Sequence, residues 1–598
     1  MRSLLHENYP PESDEIDTIK IINKQAGKCP DISGLIVIPK AFGTIRPLKI
    51  KNKLMKNIPF KLLALGLLFA ACDSQETYQF QVSDLEPHID TLSSDYFEGR
   101  MPFSEGEKKT VDYLLQEFQE IGLEPGNGDS FIQDVPLVSI QTTASPTMEI
   151  SSEDQKLTLE GLKDYVLWTQ RTESEVALED VEMIFAGFGI VAPEYGWNDY
   201  KNIDVKDKIV VVLVNDPGFG TEDPDFFKGN TMTYYGRWTY KYEEAIRQGA
   251  LGCLIVHNTI PAGYGFNVIQ NSWNSSKLYL DDRGKEDYKL AFEGWVNLPT
   301  ANKLFEMAGL NERELLAKAR KVDFEPIPMN LKAIASMEVE ATYNTSKNVV
   351  AKITGSTRPE EYVVYTAHWD HLGIGKPDEK GDSIYNGALD NASGTAALLA
   401  IAKAFKESEQ PERSVVFLAV TAEEEGLLGS AHYAQNPIYA LEKTVANINM
   451  DGINPYGKMR DVSVIGVGQS EMEDLLNVEL EKLGRYSAPE PNPVAGYYFR
   501  SDHFNFAKVG VPALYFHTGI DHVEKGKEYG KTLQANYTAE YYHKPSDEYD
   551  PERWNLDGAV DDVQLLFNIG QNISNSNNWP NWKAGSEFKA IRDGYMKK

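Results

Sequence analysis

Five short motifs in the second half of the chain carry side chains that could bind metal ions. Each motif contributes one histidine or one acid, and the five residues are His368, Asp390, Glu424, Asp451 and His543. Neutral imidazole nitrogens and carboxylate oxygens are ligands that Zn²⁺ takes in catalytic sites. One such residue in a loop is most often structural, but five of them in separate motifs indicate a shared, paired zinc site.

The first two motifs are H-W-D, which begins at His368, and G-A-L-D-N-A-S-G around Asp390. The apolar run at 362–365 predicts a buried strand that ends just before His368. Asp370 could accept the second ring N–H of His368 and fix its tautomer. Asp390 lies at the start of a predicted helix, where it could bridge two metal ions or serve only as an N-cap.

The remaining motifs also follow predicted strands or stand near the end of the chain. The segment E-E-E-G-L-L-G-S places Glu423 beside Glu424, so that one carboxylate could bind metal while its neighbour takes a proton from water. Asp451 follows the apolar strand-like run at 445–450. His543 is preceded by Tyr542 and followed, four residues later, by Asp547.

Together these motifs resemble those of the M28 family of dinuclear zinc peptidases, over roughly residues 340 to 550. The resemblance implies that Asp390 bridges two Zn²⁺ ions. It implies that His368 and Asp451 complete one zinc site, and that Glu424 and His543 complete the other.

The same resemblance assigns roles beyond the ligands. Glu423 would be the general base, Asp370 and Asp547 would support the ligands, and Tyr542 could hydrogen-bond the developing oxyanion. The implied reaction is removal of N-terminal residues from peptides with a free amino terminus, because the acids of the site favour an ammonium group.

Two alternatives to an aminopeptidase remain open from the sequence. A zinc carboxypeptidase or dipeptidase of the same fold would need a basic residue for the substrate carboxylate, for which Arg500 is a candidate. A receptor-like binding protein that has lost zinc is the non-enzyme alternative. The presence of all five ligands and of Glu423 argues against the receptor-like protein.

The pattern of predicted elements indicates an α/β fold with a mixed β-sheet sandwiched by helices. The resemblance to M28 peptidases implies that this is the zinc-exopeptidase fold. Residues 72–159 are predicted to form the N-terminal part of the peptidase domain, and residues 335–598 its catalytic part. The intervening segment 160–334 resembles the β-rich protease-associated (PA) domain, inserted in many M28 peptidases. An amphipathic helix with Val111, Leu114 and Phe118 on one face is predicted to end at Gly122.

The amino terminus has the pattern of an export signal. A basic segment that begins at Met55 is followed by a short apolar run and by small residues before Cys72. Residues 55–71 are therefore predicted to be a lipoprotein signal peptide, with Cys72 carrying the lipid. Residues 1–54 are interpreted as an over-extended gene model, with no fold assigned. The expected location is an exported lipoprotein anchored to a membrane.

Composition excludes some classes of partner and leaves others open. The 598-residue chain has a formal net charge of −30, which argues against nucleic-acid binding because an acidic surface repels phosphates. The three cysteines, Cys29, Cys72 and Cys253, provide no disulfide framework. The oligomeric state is not determined by the sequence.

Overall fold

A mixed 15-stranded sheet runs through the computed structural model, which describes residues 78–285 and 287–597. One strand of 27 residues, Ile327–Ile353, pairs with strands of both the catalytic part and the inserted segment. Its alternating apolar and polar side chains produce alternating burial over its first half, as a half-covered strand requires. This long strand therefore joins the strands of the two parts into one sheet, and each part packs its own hydrophobic core against it.

The catalytic part of the sheet consists mostly of parallel strands. Its order from the edge inward is Ala513–Leu514, Thr444–Asn449, Arg358–His368 and Arg413–Val420, and then the long strand. The first four are mutually parallel, and the long strand is antiparallel to its neighbour. Two of these strands, Thr444–Asn449 and Arg413–Val420, are buried along their whole length, as expected for strands covered on both faces.

Helices cover both faces of this part of the sheet, and successive residues of each strand point to opposite faces. Val363 and Val415 face a core built with the helices Glu105–Ile121, Ser393–Glu407, Met472–Lys482 and Asp557–Ser574. Val364 and Val416 face a second core built with the helices Leu428–Gln435 and His503–Lys508. The mixed sheet sandwiched by helices is thus the architecture that the sequence predicted.

The predicted amphipathic helix before the inserted segment is present and spans Glu105–Ile121. Ser104 caps its first turn by accepting a hydrogen bond from the backbone N–H of Glu107. Gly122 ends it with φ 79°, a left-handed conformation that glycine adopts without a Cβ clash. Val111, Leu114 and Phe118 are buried in the catalytic core, and so this early helix belongs to the catalytic part.

The inserted segment, predicted as residues 160–334, shares an apolar core with the residues that flank it, and this core runs from Val138 to Val339. Four parallel strands, with one antiparallel strand at the edge, form its centre: Glu175–Phe185, Ile209–Leu213, Gly252–His257, Phe292–Asn297 and Tyr165–Trp168. Four further strands of the large sheet pair in this region: Ser276–Leu280, and three that begin before residue 160, Ile132–Ala144, Thr147–Ser151 and Lys156–Glu160. Val191–Ala192 and Trp197–Asn198 form a separate antiparallel pair. Its helices include Trp238–Arg247, Leu298–Met307 and Glu312–Ala319.

The predicted strand around Val462 lies outside the large sheet. It spans Asp461–Val464 and forms a three-stranded sheet with Tyr486–Pro489 and Phe516–Thr518. The sequence could not assign it to this sheet, because both partners are distant along the chain. The remaining α-helices of five or more residues in the described part of the chain are Glu86–Leu92, Phe266–Gln270, Gly526–Glu540 and Lys589–Met596.

The amino-terminal predictions fall outside the described residues. Segment 1–54, the predicted signal peptide 55–71 and the predicted lipidation site Cys72 all lie there. Within the described ranges, no helix has both the length and the apolar character that crossing a membrane requires.

Candidate metal centre

Three neighbouring parallel strands deliver four of the candidate site residues to one edge of the sheet. His368 ends its strand and pairs in register with Val420, which ends the next strand. Glu423 and Glu424 follow Val420 after two further residues, Thr421 and Ala422. On the other side, Asp451 follows the end of the third strand by two residues. Because carboxyl ends of parallel strands meet at one edge, these side chains converge.

Asp390 lies between two histidines that come from distant parts of the chain. Its Oδ1 atom is 3.3 Å from Nε2 of His368, and its Oδ2 atom is 3.3 Å from Nε2 of His543. Each carboxylate oxygen therefore faces a different imidazole. This is the arrangement that a carboxylate bridging two metal ions requires.

Each histidine also has an acid of its own. Nε2 of His368 is 3.3 Å from Oδ1 of Asp451, and Nε2 of His543 is 3.0 Å from Oε2 of Glu424. The structure thus brings the five candidate ligands together as two groups that share Asp390. Nε2 of His543 is buried and satisfied by no hydrogen bond, although two carboxylate oxygens are near it. A nitrogen lone pair and oxygens that face one another in this way fit a metal ion.

The two adjacent glutamates differ in their contacts. Oε1 of Glu424 accepts a hydrogen bond at 2.6 Å from Nδ1 of His371, and its other oxygen faces His543. Oε2 of Glu423 lies 4.0 Å from Nε2 of His368, farther than the 3.3 Å of Asp390 and Asp451. The geometry also groups Glu423 with His368 and Asp451, and His371 with Asp390 and Glu424. The shorter contacts favour Glu424 as the ligand and leave Glu423 free to move a proton.

Asp370 supports the two glutamates rather than the imidazole of His368. Its carboxylate accepts hydrogen bonds from the backbone N–H groups of Glu423 at 3.1 Å and of Glu424 at 3.4 Å. Nδ1 of His368 lies 3.1 Å from the backbone oxygen of Asp370 but 3.8 Å from its carboxylate. The tautomer of His368 is therefore fixed by a main-chain carbonyl. The sequence predicted that the carboxylate of Asp370 would accept this N–H. The residue is correct but the oxygen atom is not, because sequence alone does not show which oxygen of Asp370 faces the ring.

Asp547 holds the loop that carries Asp390. Its carboxylate accepts hydrogen bonds from the backbone N–H groups of Leu389 and Asp390, both at 3.2 Å, and from the hydroxyl of Tyr537. Its backbone oxygen accepts a further bond from the N–H of Ala388. This acid follows His543 by four residues, and it connects that end of the chain to the bridging carboxylate.

The loops around the site are also held by Arg100, which sequence reasoning did not single out. Its guanidinium is buried and donates to four main-chain oxygens, those of Leu92, Trp369, Asn386 and Gly387, at 2.6 to 2.9 Å. Trp369 follows His368 directly, and Gly387 precedes Asp390 by three residues. Arg100 therefore connects the two ligand loops through one rigid, planar group.

Burial and close charges shift the proton affinities of the central residues. Burial lowers the pKa of His368, but Glu423, Asp390 and Asp451 together raise it well above its usual value. Burial raises the pKa of Asp390, yet its contacts with His368 and His543 hold the pKa well below its usual value. Burial and the neighbouring acids raise the pKa of Glu423 well above its usual range. A carboxyl with a raised pKa is suited to accept a proton during hydrolysis.

Two tyrosines lie near the site in different ways. Tyr542 is 45% exposed, and its ring stacks on His543 with centroids 3.9 Å apart. Its hydroxyl donates to no described residue, so a role at an oxyanion stays a prediction. Tyr515 is buried, and its hydroxyl donates to the backbone oxygen of Asp451 at 3.3 Å and contacts Nε2 of His517. The sequence did not indicate Tyr515, because no motif surrounds it.

The segment around Asp502 lines the site without joining the ligands. Asp502 is fully buried and accepts a hydrogen bond at 2.5 Å from the hydroxyl of Ser430. Both ring nitrogens of His503 are buried and have no hydrogen-bond partner among the described residues, and burial lowers the pKa of this ring to about 3. His503 is therefore a neutral ring packed between Tyr498 and Tyr515. Neither Asp502 nor His503 belongs to the two groups of candidate ligands that share Asp390.

Comparison with known proteins gives a family for the segment that forms this centre. Residues 348–567 match the family model described as Peptidase family M28. The matched segment is less than half of the chain, and it contains the five candidate ligands and Glu423.

Curated relatives and solved structures are more distant. Aminopeptidase NAALADL1 of Mus musculus is 35% identical over 137 residues, which are 21% of this chain and 17% of that protein. A probable zinc metalloprotease of Pyrenophora tritici-repentis is 26% identical over 217 residues, 35% of this chain and 48% of that protein. The matches span less than half the length of these relatives. The solved aminopeptidase of Aneurinibacillus sp. strain AM-1 is 19% identical with a TM-score of 0.44, covering 85% of this chain and 97% of that one.

We predict that Arg100→Met weakens Zn²⁺ binding by roughly 10–100-fold, the range found when groups that orient metal ligands are removed. The variant leaves the five candidate ligands in place but removes the donors that connect their loops. Zn²⁺ affinity is measured on the folded protein by competition with a chromophoric chelator.

Arg592→Met is the matched control for this variant. Arg592 is also buried, and it donates to the backbone oxygens of Thr444 at 3.0 Å and Val445 at 3.2 Å, at the opposite end of a site strand. We expect both variants to lose stability and only Arg100→Met to lose Zn²⁺ affinity. Equal losses of affinity would show that Arg100 acts on the fold as a whole.

Proposed function

We propose that this protein is a dinuclear zinc aminopeptidase, which hydrolyses N-terminal residues from peptides. The observation that carries the proposal is the position of Asp390, whose two oxygens face two histidines that each have a further acid. A single-metal site has no need of a carboxylate shared in this way. The match of residues 348–567 to Peptidase family M28 supports the same reaction class.

The proposed zinc ligands fall into two sets. His368, Asp451 and one oxygen of Asp390 would hold one ion, while His543, Glu424 and the other oxygen of Asp390 would hold the second. When bound, a zinc pair supplies Lewis-acid polarisation of the scissile carbonyl and increases the acidity of water.

Glu423 is the proposed proton carrier. Its carboxylate lies beside the ligands but farther from His368 than Asp390 and Asp451 do, and so it is free to accept a proton from the attacking water and to pass it to the leaving amine nitrogen. Asp370 fixes its position by accepting the hydrogen bond from its backbone N–H.

The proposed polarity of the substrate follows from the charges around the site. Asp390, Glu423, Glu424 and Asp451 lie together around the two histidines, and we expect the substrate terminus to bind near them. A free ammonium group is attracted there, whereas a carboxylate at the same position is repelled. This favours cleavage after the first residue of an unblocked peptide over release of a C-terminal residue.

The proposed location rests on the amino-terminal sequence. The signal pattern of residues 55–71 and Cys72 supports an exported protein held at a membrane by lipid on Cys72. An enzyme in that position would act on peptides outside the cytoplasm.

Replacing each of the two glutamates by glutamine, in separate variants, tests which one is the base and which one is the metal ligand. Glu423→Gln keeps the shape of the side chain but cannot accept a proton, so we predict two zinc ions per chain with turnover about 10²–10⁴-fold lower. Glu424→Gln is the matched variant, and we expect it to lose zinc. Metal analysis and turnover are measured on both proteins. Zinc loss in Glu423→Gln would exchange the two roles, and fewer than two ions in the unaltered protein would contradict a paired site.

Blocking the amino terminus of the substrate tests the proposed polarity. We predict that N-acetylation of a short peptide abolishes its hydrolysis, because it removes the ammonium group that the acids attract. Cleavage is followed by mass spectrometry for a peptide and its N-acetyl form. Release of the C-terminal residue from the acetylated peptide would establish a carboxypeptidase instead.

Replacement of the predicted lipidation site tests the location. We predict that Cys72→Ser converts a membrane-bound protein into one that is released into the soluble fraction, because the lipid can no longer be attached. Fractionation and mass spectrometry of the native protein are the measurements. A Cys72→Ser protein that stays on the membrane would contradict the anchor, and peptides from residues 1–54 would contradict a start at Met55.

A further inference from the structure

His371 is a buried histidine beside the candidate metal centre, and the proposed reaction gives it no role. It is 1% exposed. Its side chain makes one hydrogen bond with a described residue, in which Nδ1 lies 2.6 Å from Oε1 of Glu424. Nε2 of the same ring is buried and has no hydrogen-bond partner in the described part of the chain. The contact with Glu424 is therefore the polar interaction that orients this ring.

The ring of His371 is held on two sides by groups of the site. Gly387 has φ 54°, and a Cβ atom added there would lie 2.5 Å from Cγ of His371. A side chain at position 387 would therefore displace the ring, and glycine also adopts this backbone conformation without strain. The ring of His543 packs across that of His371 at 73°, with centroids 5.7 Å apart. The loop before Asp390 and one candidate ligand thus fix the position of His371.

Glu424 is held in turn by two consecutive residues. The carboxylate of Asp370 accepts its backbone N–H at 3.4 Å, and Nδ1 of His371 contacts its side chain. Because Oε1 accepts this hydrogen bond, Oε2 is the oxygen that faces Nε2 of His543, at 3.0 Å. Glu424 therefore presents one oxygen to the second proposed metal position.

The neighbouring Glu423 has no such partner. Its carboxylate accepts no side-chain hydrogen bond from a described residue, and its Oε2 lies 4.0 Å from Nε2 of His368. The two glutamates are adjacent in the chain, and Asp370 accepts the backbone N–H of both. The hydrogen bond from His371 is the side-chain contact that distinguishes them. It directs Glu424 toward the metal position and leaves Glu423 free for proton transfer.

Filling space does not account for a histidine at this position. A leucine could fill buried space without leaving a polar atom unpaired, whereas the unpaired Nε2 of His371 costs free energy. Nδ1 carries the proton in the contact with Glu424, because an ionised carboxylate can only accept a hydrogen bond. The donor at Nδ1 is the property that a hydrocarbon side chain would lack.

We propose that His371 is a positioning residue of the metal centre, which holds Oε1 of Glu424 so that this carboxylate binds a metal ion through Oε2 alone. The inference rests on the proposed dinuclear zinc function and adds a determinant of metal choice to it. Zn²⁺ takes few ligands, whereas Mn²⁺ suits sites that offer more carboxylate and water oxygens. Keeping one carboxylate oxygen away from the ion therefore favours Zn²⁺ over Mn²⁺.

Three variants of the whole chain test the proposal. His371→Leu removes the donor and keeps an apolar side chain, while His371→Asn keeps an amide N–H near the position of Nδ1. His257→Leu is the matched control. His257 is also buried, at 2% exposure, but it lies in the inserted segment, with Nε2 3.1 Å from the backbone oxygen of Tyr264. Thermal unfolding of the metal-free proteins measures the stability that each replacement removes.

The affinities of both ions are measured by chelator competition, with Zn²⁺ and with Mn²⁺. We expect His371→Leu to bind one Zn²⁺ roughly 10–100-fold more weakly, the range found when a group that orients a ligand is removed. Mn²⁺ binding should weaken less, because the freed Oε1 can serve as a further oxygen ligand. His371→Asn should return to within about threefold of the unaltered Zn²⁺ affinity, since Glu424 regains a hydrogen bond. His257→Leu should keep both affinities.

The visible absorption of the Co²⁺-loaded proteins adds a measurement that a loss of stability alone would not change. The absorption depends on the number and kind of ligands around the ion. We expect an altered spectrum for His371→Leu, and the unaltered spectrum for His371→Asn and His257→Leu.

Three outcomes would overturn the positioning role. The first is unchanged Zn²⁺ affinity together with an unchanged Co²⁺ spectrum in His371→Leu. The second is an equal loss of Zn²⁺ affinity in His371→Leu and His371→Asn, which would show that the imidazole itself is required as a ligand. The third is an equal loss in His257→Leu, which would attribute the effect to the stability of the fold.

Hydrolysis of an unblocked tripeptide by the unaltered protein separates this inference from the proposed function. If no peptide is hydrolysed but Zn²⁺ binding depends on His371 as expected, the aminopeptidase reaction is contradicted and the positioning role stands. If the peptide is hydrolysed and His371→Leu binds Zn²⁺ and Mn²⁺ as the unaltered protein does, the positioning role is contradicted and the reaction stands.

Discussion

Several carboxylates are buried close together at one edge of the sheet, and the surrounding structure must offset the free-energy cost of burying their charges. Burying a charge is costly unless hydrogen bonds or opposite charges offset it. Asp370 and Asp547 accept backbone N–H groups, and Asp502 accepts a hydroxyl. Asp390 lies between two histidines. Arg100 places a buried positive charge among these acids while its own donors bind main-chain oxygens.

These compensating contacts also determine the geometry of the loops. Asp370 holds the backbone of the two glutamates, and Asp547 holds the backbone of Asp390. Arg100 joins the loop after His368 to the loop before Asp390. The groups that offset the free-energy cost of burying the acids are therefore also the groups that orient them. A site that must bind metal needs this, because ligand direction is set by the contacts outside the ligand set.

The inserted segment is coupled to the site through the long strand and through side-chain contacts. Ile327–Ile353 belongs to both cores, so the two parts share one sheet. Leu278 of the inserted segment packs near Leu428, and Tyr234 packs against Phe504. The inserted segment therefore packs against the loops that carry the candidate site residues.

The sequence by itself determined the strands and helices whose patterns are strong, and the residues that carry motifs. The buried run that ends at Val420 and the amphipathic helix that ends at Gly122 depend on local periodicity and capping, which are visible in the sequence. Candidate ligands could be named because their types and order match a known set of motifs. Tertiary structure decided which atoms meet, for example that His368 uses the main-chain oxygen of Asp370. Arg100 has no motif, and three of the main-chain oxygens to which it donates are more than 200 residues away in the chain. Contacts of that kind depend on the sheet register and on the packing of the two cores, and no local pattern encodes them.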